Sequence, residues 1–220
     1  MIIGGEGSAV DKSCVLNMVN HQTTRNDDPG FSMIEMIMVI SIMLILAAIT
    51  MPAMVNTLSD LRLRSSATNL SGLLQTARMQ AVRRNAPYGI QPVTLPGGQS
   101  AYFVNLNGAT YGNGDPLVVL GDRVAASQGT GSGAPNETAF TAGLGFTVAP
   151  GAVVPSFNAR GLPCSPTLAN TCPQNPGQGF VLFLQQSTVL GEIRWAAVTV
   201  NGSGRVQVWT CDSSGNWIQR

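Results

Sequence analysis

A chain of 220 residues has room for one globular domain plus one membrane or helical appendage, and its 10% content of charged side chains is low for a soluble domain. Its single histidine, His21, precedes an apolar run that starts at Phe31, so a chain without its first thirty residues holds none. That excludes Ser-His and Cys-His nucleophilic mechanisms and His-ligated metal sites. From Phe31 onward there are ten Arg, no Lys and seven acids, a balance of +3 that permits binding to a polyanion without requiring it.

In chain order, residues 1–30 are mixed in charge (Glu6, Asp11, Lys12, Arg25, Asp27, Asp28) and lack the basic n-region of a secretory signal. The abrupt edge at Gly30 marks them as a leader cut before the apolar run. Residues 31–55 form a 25-residue apolar segment interrupted only by Ser32, Glu35, Ser41, Thr50 and Pro52. As a helix it would be roughly 37 Å long, enough to span a bilayer core of about 30 Å with some tilt. An acid inside such a span is costly, and so is a functional-site candidate. The natural partner for Glu35 is a positive charge at similar depth.

Residues 56–86 continue the helix as an amphipathic one. Leu63, Ala67, Leu70, Leu74, Ala77 and Ala81 recur at helical spacing, which predicts a face buried against a sheet. Pro87 predicts a helix end near Asn85. Arg83 and Arg84 suit the negative end of the helix dipole.

Residues 87–220 form a β-domain. Strands are predicted at Tyr88–Val93, Ala101–Leu106, Leu117–Val124, Gly145–Val148, Val153–Asn158, Gly179–Gln185, Arg194–Asn201 and Arg205–Thr210. Asn201–Gly204 reads as a hairpin turn, Gln128–Pro135 as a mobile Gly/Ser-rich loop, and Asn107–Asp115 as a turn-rich connection. The fold class is α+β, with one long N-terminal helix packed on a largely antiparallel two-sheet β-domain.

Gly30-Phe31-Ser32-Met33-Ile34-Glu35 resembles the processing site of type IV pilins and type II secretion pseudopilins, and Pro52 is similar to a proline near the end of their span. The resemblance implies that a prepilin peptidase cleaves between Gly30 and Phe31 and that Phe31 becomes N-methylated. It also implies that Glu35 pairs with the N-terminal amine of a neighbouring subunit. Within that group, three stretches resemble the GspH/FimT branch: the helix end Leu73–Asn85, Phe157-Asn158-Ala159-Arg160-Gly161, and the closing hairpin Val200–Trp209 with Gly204-Arg205.

The implied function is that of a minor pilin or pseudopilin, a non-enzymatic assembly subunit of a type II secretion pseudopilus or type IV pilus. Its implied partners are prepilin peptidase, the other pilins of the filament and inner-membrane lipid. The implied topology is a single pass of the bacterial inner membrane, leader cytosolic and β-domain periplasmic.

An alternative is a DNA-binding minor pilin acting in natural transformation. Some FimT-like proteins are thought to use a Gly-Arg-x-Arg element, where this chain has Gly204-Arg205-Val206-Gln207. Arg194, Arg205 and Arg220, with Trp195, Trp209 and Trp217, are the candidate DNA contacts. The opposing reading puts the tryptophans in the sheet core.

In an oxidising compartment Cys164 and Cys172 are the first candidate disulfide, with Cys211 as an alternative partner for either. No metal or cofactor is expected. Asn105, Asn107, Asn113 and Asp115 suggest a calcium loop by likeness to related pseudopilins, but their spacing departs from an EF-hand and favours a polar turn.

Overall fold

The computed structural model describes residues 31–106, 110–149, 155–165, 172–173, 177–188 and 191–220. Its longest element is the helix α1 (Met33–Arg84). By contacts the chain divides after Ile45 into two units.

In the first unit, each described residue from Phe31 to Ile45 is exposed although nearly all are apolar. The Ser32 carbonyl accepts the Glu35 and Met36 N–H groups at 3.0 and 3.2 Å and starts the helix. The Ser41 hydroxyl donates to the Ile37 carbonyl at 2.8 Å, so this polar side chain is satisfied within its own helix. Such a surface suits hydrocarbon and not water. α1 is the one helix among the described residues long and apolar enough to cross a membrane.

In the second unit the helix changes character. Leu63, Ala67, Leu70, Leu73, Leu74, Ala77 and Ala81 are buried, in line with the predicted stripe, with Leu73 added to it. α1 ends in a paired turn. The Ala86 N–H reaches the Ala81 carbonyl at 3.2 Å and the Asn85 N–H the Val82 carbonyl at 3.4 Å, with Asn85 left-handed at φ 50°. This is a Schellman ending with asparagine in the position glycine usually takes.

The first sheet contains β1 (Tyr88–Thr94), β2 (Ser100–Val104), β3 (Leu117–Val119), β6 (Ser156–Phe157) and β7 (Pro163–Cys164), in the order β3-β2-β1-β6-β7. The second contains β4 (Val124–Gln128), β8 (Gln178–Ser187), β9 (Ile193–Val200), β10 (Val206–Cys211) and β11 (Trp217–Gln219), in the order β11-β10-β9-β8-β4. All these pairings are antiparallel. The short β5 (Thr147–Val148) adds in parallel to the start of β8. A seven-residue helix, α2 (Glu137–Gly143), precedes β5.

β8 and β9 are buried on both faces, so they read as continuous apolar runs rather than alternating ones. Phe180, Leu182, Leu184, Ala196, Val198 and Val200 join the α1 stripe and first-sheet residues such as Ile90 and Phe157 in the main core. Val181, Phe183, Trp195 and Ala197 point the other way, into a second core with Phe140 of α2.

Three differences from the sequence reading have local causes. Leu117–Val124 is two strands because the chain turns at Gly121–Arg123, where Arg123 has φ 61°. There the Gly121 N–H is donated to Ser66 Oγ on α1 at 2.9 Å, and the chain passes from one sheet to the other. The Gly/Ser-rich stretch is tied down by Glu137, whose carboxylate accepts the Gly131 N–H and the Ser132 hydroxyl. β7 and β11 are too short to leave a pattern. Val153 and Val154, the start of one predicted strand, lie outside the described residues, as does Asn107.

Candidate assembly and docking site

The processing boundary is described only on its distal side. Phe31 is 70% exposed and Glu35 lies in the first turn of α1, paired with no cation among the described residues. Gly30 lies outside the described residues.

The three stretches that carry the GspH/FimT resemblance meet at one place. Arg78 of α1 donates from Nη1 to the Gly204 carbonyl, in the β9–β10 turn, at 3.1 Å. Gly161, in the turn between β6 and β7, packs beside it: a Cβ there would lie 3.0 Å from a Val82 methyl and 3.1 Å from Arg78 Nε. At Gly204 a Cβ would come within 2.8 Å of the Gly161 carbonyl oxygen and 3.2 Å of Arg78 Cζ. Both glycines have positive φ, 73° and 80°. A side chain at either would be strained and would push the turns off the helix. The helix end, the Phe-x-x-x-Gly stretch and the Gly-Arg hairpin are thus one junction. Each glycine is needed for backbone that approaches the Arg78 guanidinium.

The candidate DNA contacts are dispersed differently. Arg194 is held by Asp60 of α1 at 3.2 Å and by Glu192 at 3.2 Å, which neutralise it. Trp195 is buried in the second core. Trp217 stacks on Phe140 with ring centres 4.5 Å apart and donates Nε1–H to the Pro135 carbonyl at 2.9 Å. Trp209 meets Phe140 edge-on at 5.4 Å and donates to Thr199 Oγ1 at 3.0 Å. Trp195 is sheet core, and Trp209 and Trp217 are partly buried against that core through their contacts with Phe140. Arg220 donates from Nε to Thr210 Oγ1 at 3.2 Å. Arg205 is exposed and sits instead beside Arg78 and Arg83. Arg84 lies over the Tyr88 ring at 5.8 Å.

Cys164 and Cys172 are joined in a disulfide, with Cα atoms 5.2 Å apart, which clips the chain after β7. Cys211 is a half-buried free thiol against the second core. Burial, and next the neighbouring Asp212 charge, push its pKa up, so it is a poor nucleophile at neutral pH. Asp115 accepts the Gly112 N–H at 3.0 Å and the Leu106 N–H at 3.3 Å and so closes the turn before β3. Among the described residues no cluster of three or more His, Cys, Asp or Glu side chains converges as a metal site would need.

α2 and the groove beside Arg78 were not read from the sequence. The one signal for α2 was Asn136-Glu137 opening a short apolar run, and it sits in a stretch dominated by glycine.

Two family models match the chain. The model for the type II transport protein GspH matches residues 66–204, and that for the prokaryotic N-terminal methylation motif matches residues 25–51. The first covers the buried half of α1 and most of both sheets; the second spans the Gly30–Phe31 boundary and Glu35. No curated protein and no solved structure matches the chain.

Proposed function

Because the chain belongs to the GspH family of type II transport proteins and carries the N-terminal methylation motif, making it a pilin-like minor subunit, we propose that it serves a type II secretion pseudopilus or a type IV pilus. The family description favours the first. Prepilin peptidase removes residues 1–30, Phe31 is N-methylated, and the apolar half of α1 anchors the subunit in the inner membrane with the β-domain in the periplasm. In the filament, Glu35 pairs with the N-terminal amine of a neighbour's Phe31. That contact relieves the cost of a carboxylate in an apolar layer and fixes the axial register between subunits.

The observation that carries this reading is the coincidence of Gly30-Phe31, Glu35 at the fifth position after the cut, and a largely apolar span whose residues from Phe31 to Met51 are exposed. DNA uptake gains no specific support, since Trp195 is buried, Trp209 and Trp217 pack partly buried against the second core, and Arg194 is paired with Asp60. Co-expression with a prepilin peptidase and mass spectrometry of the intact product tests the reading. The expected product begins at Phe31 and carries one methyl group on its amine. A chain that keeps residues 1–30, or is cut beyond Val55, contradicts it.

A further inference from the structure

The junction at Arg78 opens onto a groove of about 750 Å³ between the C-terminal end of α1 and the β9–β10 turn. Its walls combine Arg78, Arg83 and Arg205 with Met79, Val82 and Val206, and no carboxylate among the described residues lines it. Met79 is 63% and Val82 52% exposed. Arg83 and Arg205 enter no ion pair among the described residues, whereas the arginines at the other end of the unit, Arg62, Arg123 and Arg194, each face Asp or Glu. Two unmatched cations beside two exposed aliphatic side chains make a surface with a definite complement.

We infer that this groove docks an acidic segment of a protein partner, inserting an aliphatic side chain over Met79 and Val82 while its carboxylates meet Arg83 and Arg205. Arg78 is a positioning residue: its bond to the Gly204 carbonyl holds the turn that presents Arg205. Arginine forks hold carboxylates in two-point contacts, and the aliphatic floor rewards burial of a leucine-like side chain. The volume suits a few side chains, not a whole domain.

Nucleic acid fits less well. Among the described residues no aromatic ring lines the groove for a base to stack on, and the aliphatic floor offers nothing to phosphate and sugar. Neither residues 1–30 nor Glu35 contributes to this surface.

The test uses the full chain in detergent micelles and a fluorescein-labelled peptide of alternating glutamate and leucine. Two further probes are the same peptide with serine for leucine, and labelled oligothymidylate. The glutamate–leucine peptide is expected to bind. The serine peptide should bind about tenfold more weakly, because the aliphatic contact is gone. Arg83→Glu with Arg205→Glu should weaken the first peptide by about tenfold or more, and Arg83→Lys with Arg205→Lys should retain most of its binding. Circular dichroism checks that both variants keep the fold. Absence of peptide binding, binding unchanged by the charge reversal, or preferential binding of oligothymidylate would each overturn the inference.

Discussion

The two faces of the second sheet bury similar residue types but are covered by very different elements. One face carries Leu182, Leu184 and Val198 against a long helix whose stripe repeats over five turns. The other carries Phe183 and Trp195 against the seven residues of α2. An element that repeats its apolar position several times shares the load over many contacts. One that supplies a single ring, Phe140, concentrates it. The first face should therefore hold the fold together, and the second should open first.

The largest expected effect is on the first face. Leu182 is fully buried between α1 and the sheet, so Leu182→Ala should destabilise the globular unit by about 4 kcal/mol. Urea unfolding should report it as one cooperative shift. Phe140→Ala should cost about 3 kcal/mol by the same cavity argument. Its signature in hydrogen exchange should be local, with faster exchange in α2 and continued protection in β8 and β9. Uniform loss of protection would erase the distinction between the faces.

A smaller effect tests how α1 is tied to the turn between the sheets. Ser66→Ala leaves the Gly121 N–H without its acceptor and should cost about 1–2 kcal/mol, measured as a lower urea midpoint at unchanged slope.

The smallest is visible only in alkali. Burial raises the Tyr102 pKa, partly offset by its hydrogen bond to Gln128. A raised pKa means the neutral phenol is favoured in the fold. Its contribution is fully present below the unfolded-state value and is lost as pH rises through the folded one. Tyr102→Phe should leave neutral stability near that of the parent and flatten the decline above the usual tyrosine range.

The same contrast explains what the sequence made legible. The α1 stripe was readable because Leu63 to Ala81 repeat at helical spacing, and six positions placed there by pattern are buried. β8 and β9 were readable as apolar runs, but a run buried on both sides cannot say what lies on each. α2 was missed because helical periodicity needs more than seven residues to declare itself, and glycines surround it. With α2 unseen, Trp209 and Trp217 had no visible covering layer and remained candidate ligand contacts. The pairing of Arg194 was hidden for a related reason. Glu192 is two positions away, but the other partner, Asp60, is 134 positions away, so only the folded arrangement reveals that second pairing.

The stretches at Arg78, Gly161 and Gly204 were each recognisable alone. Their meeting at one guanidinium was not, because tertiary contact between turns leaves no local pattern.

The filament account rests on Glu35, and the most direct measurement is incorporation of a Glu35→Val variant beside its own parent in cells that assemble the filament. The processed, membrane-inserted variant should reach parental abundance, yet it should be largely missing from sheared filaments and from crosslinks to neighbouring pilins. Parental incorporation of the variant would contradict the pairing of Glu35 with a neighbour's amine.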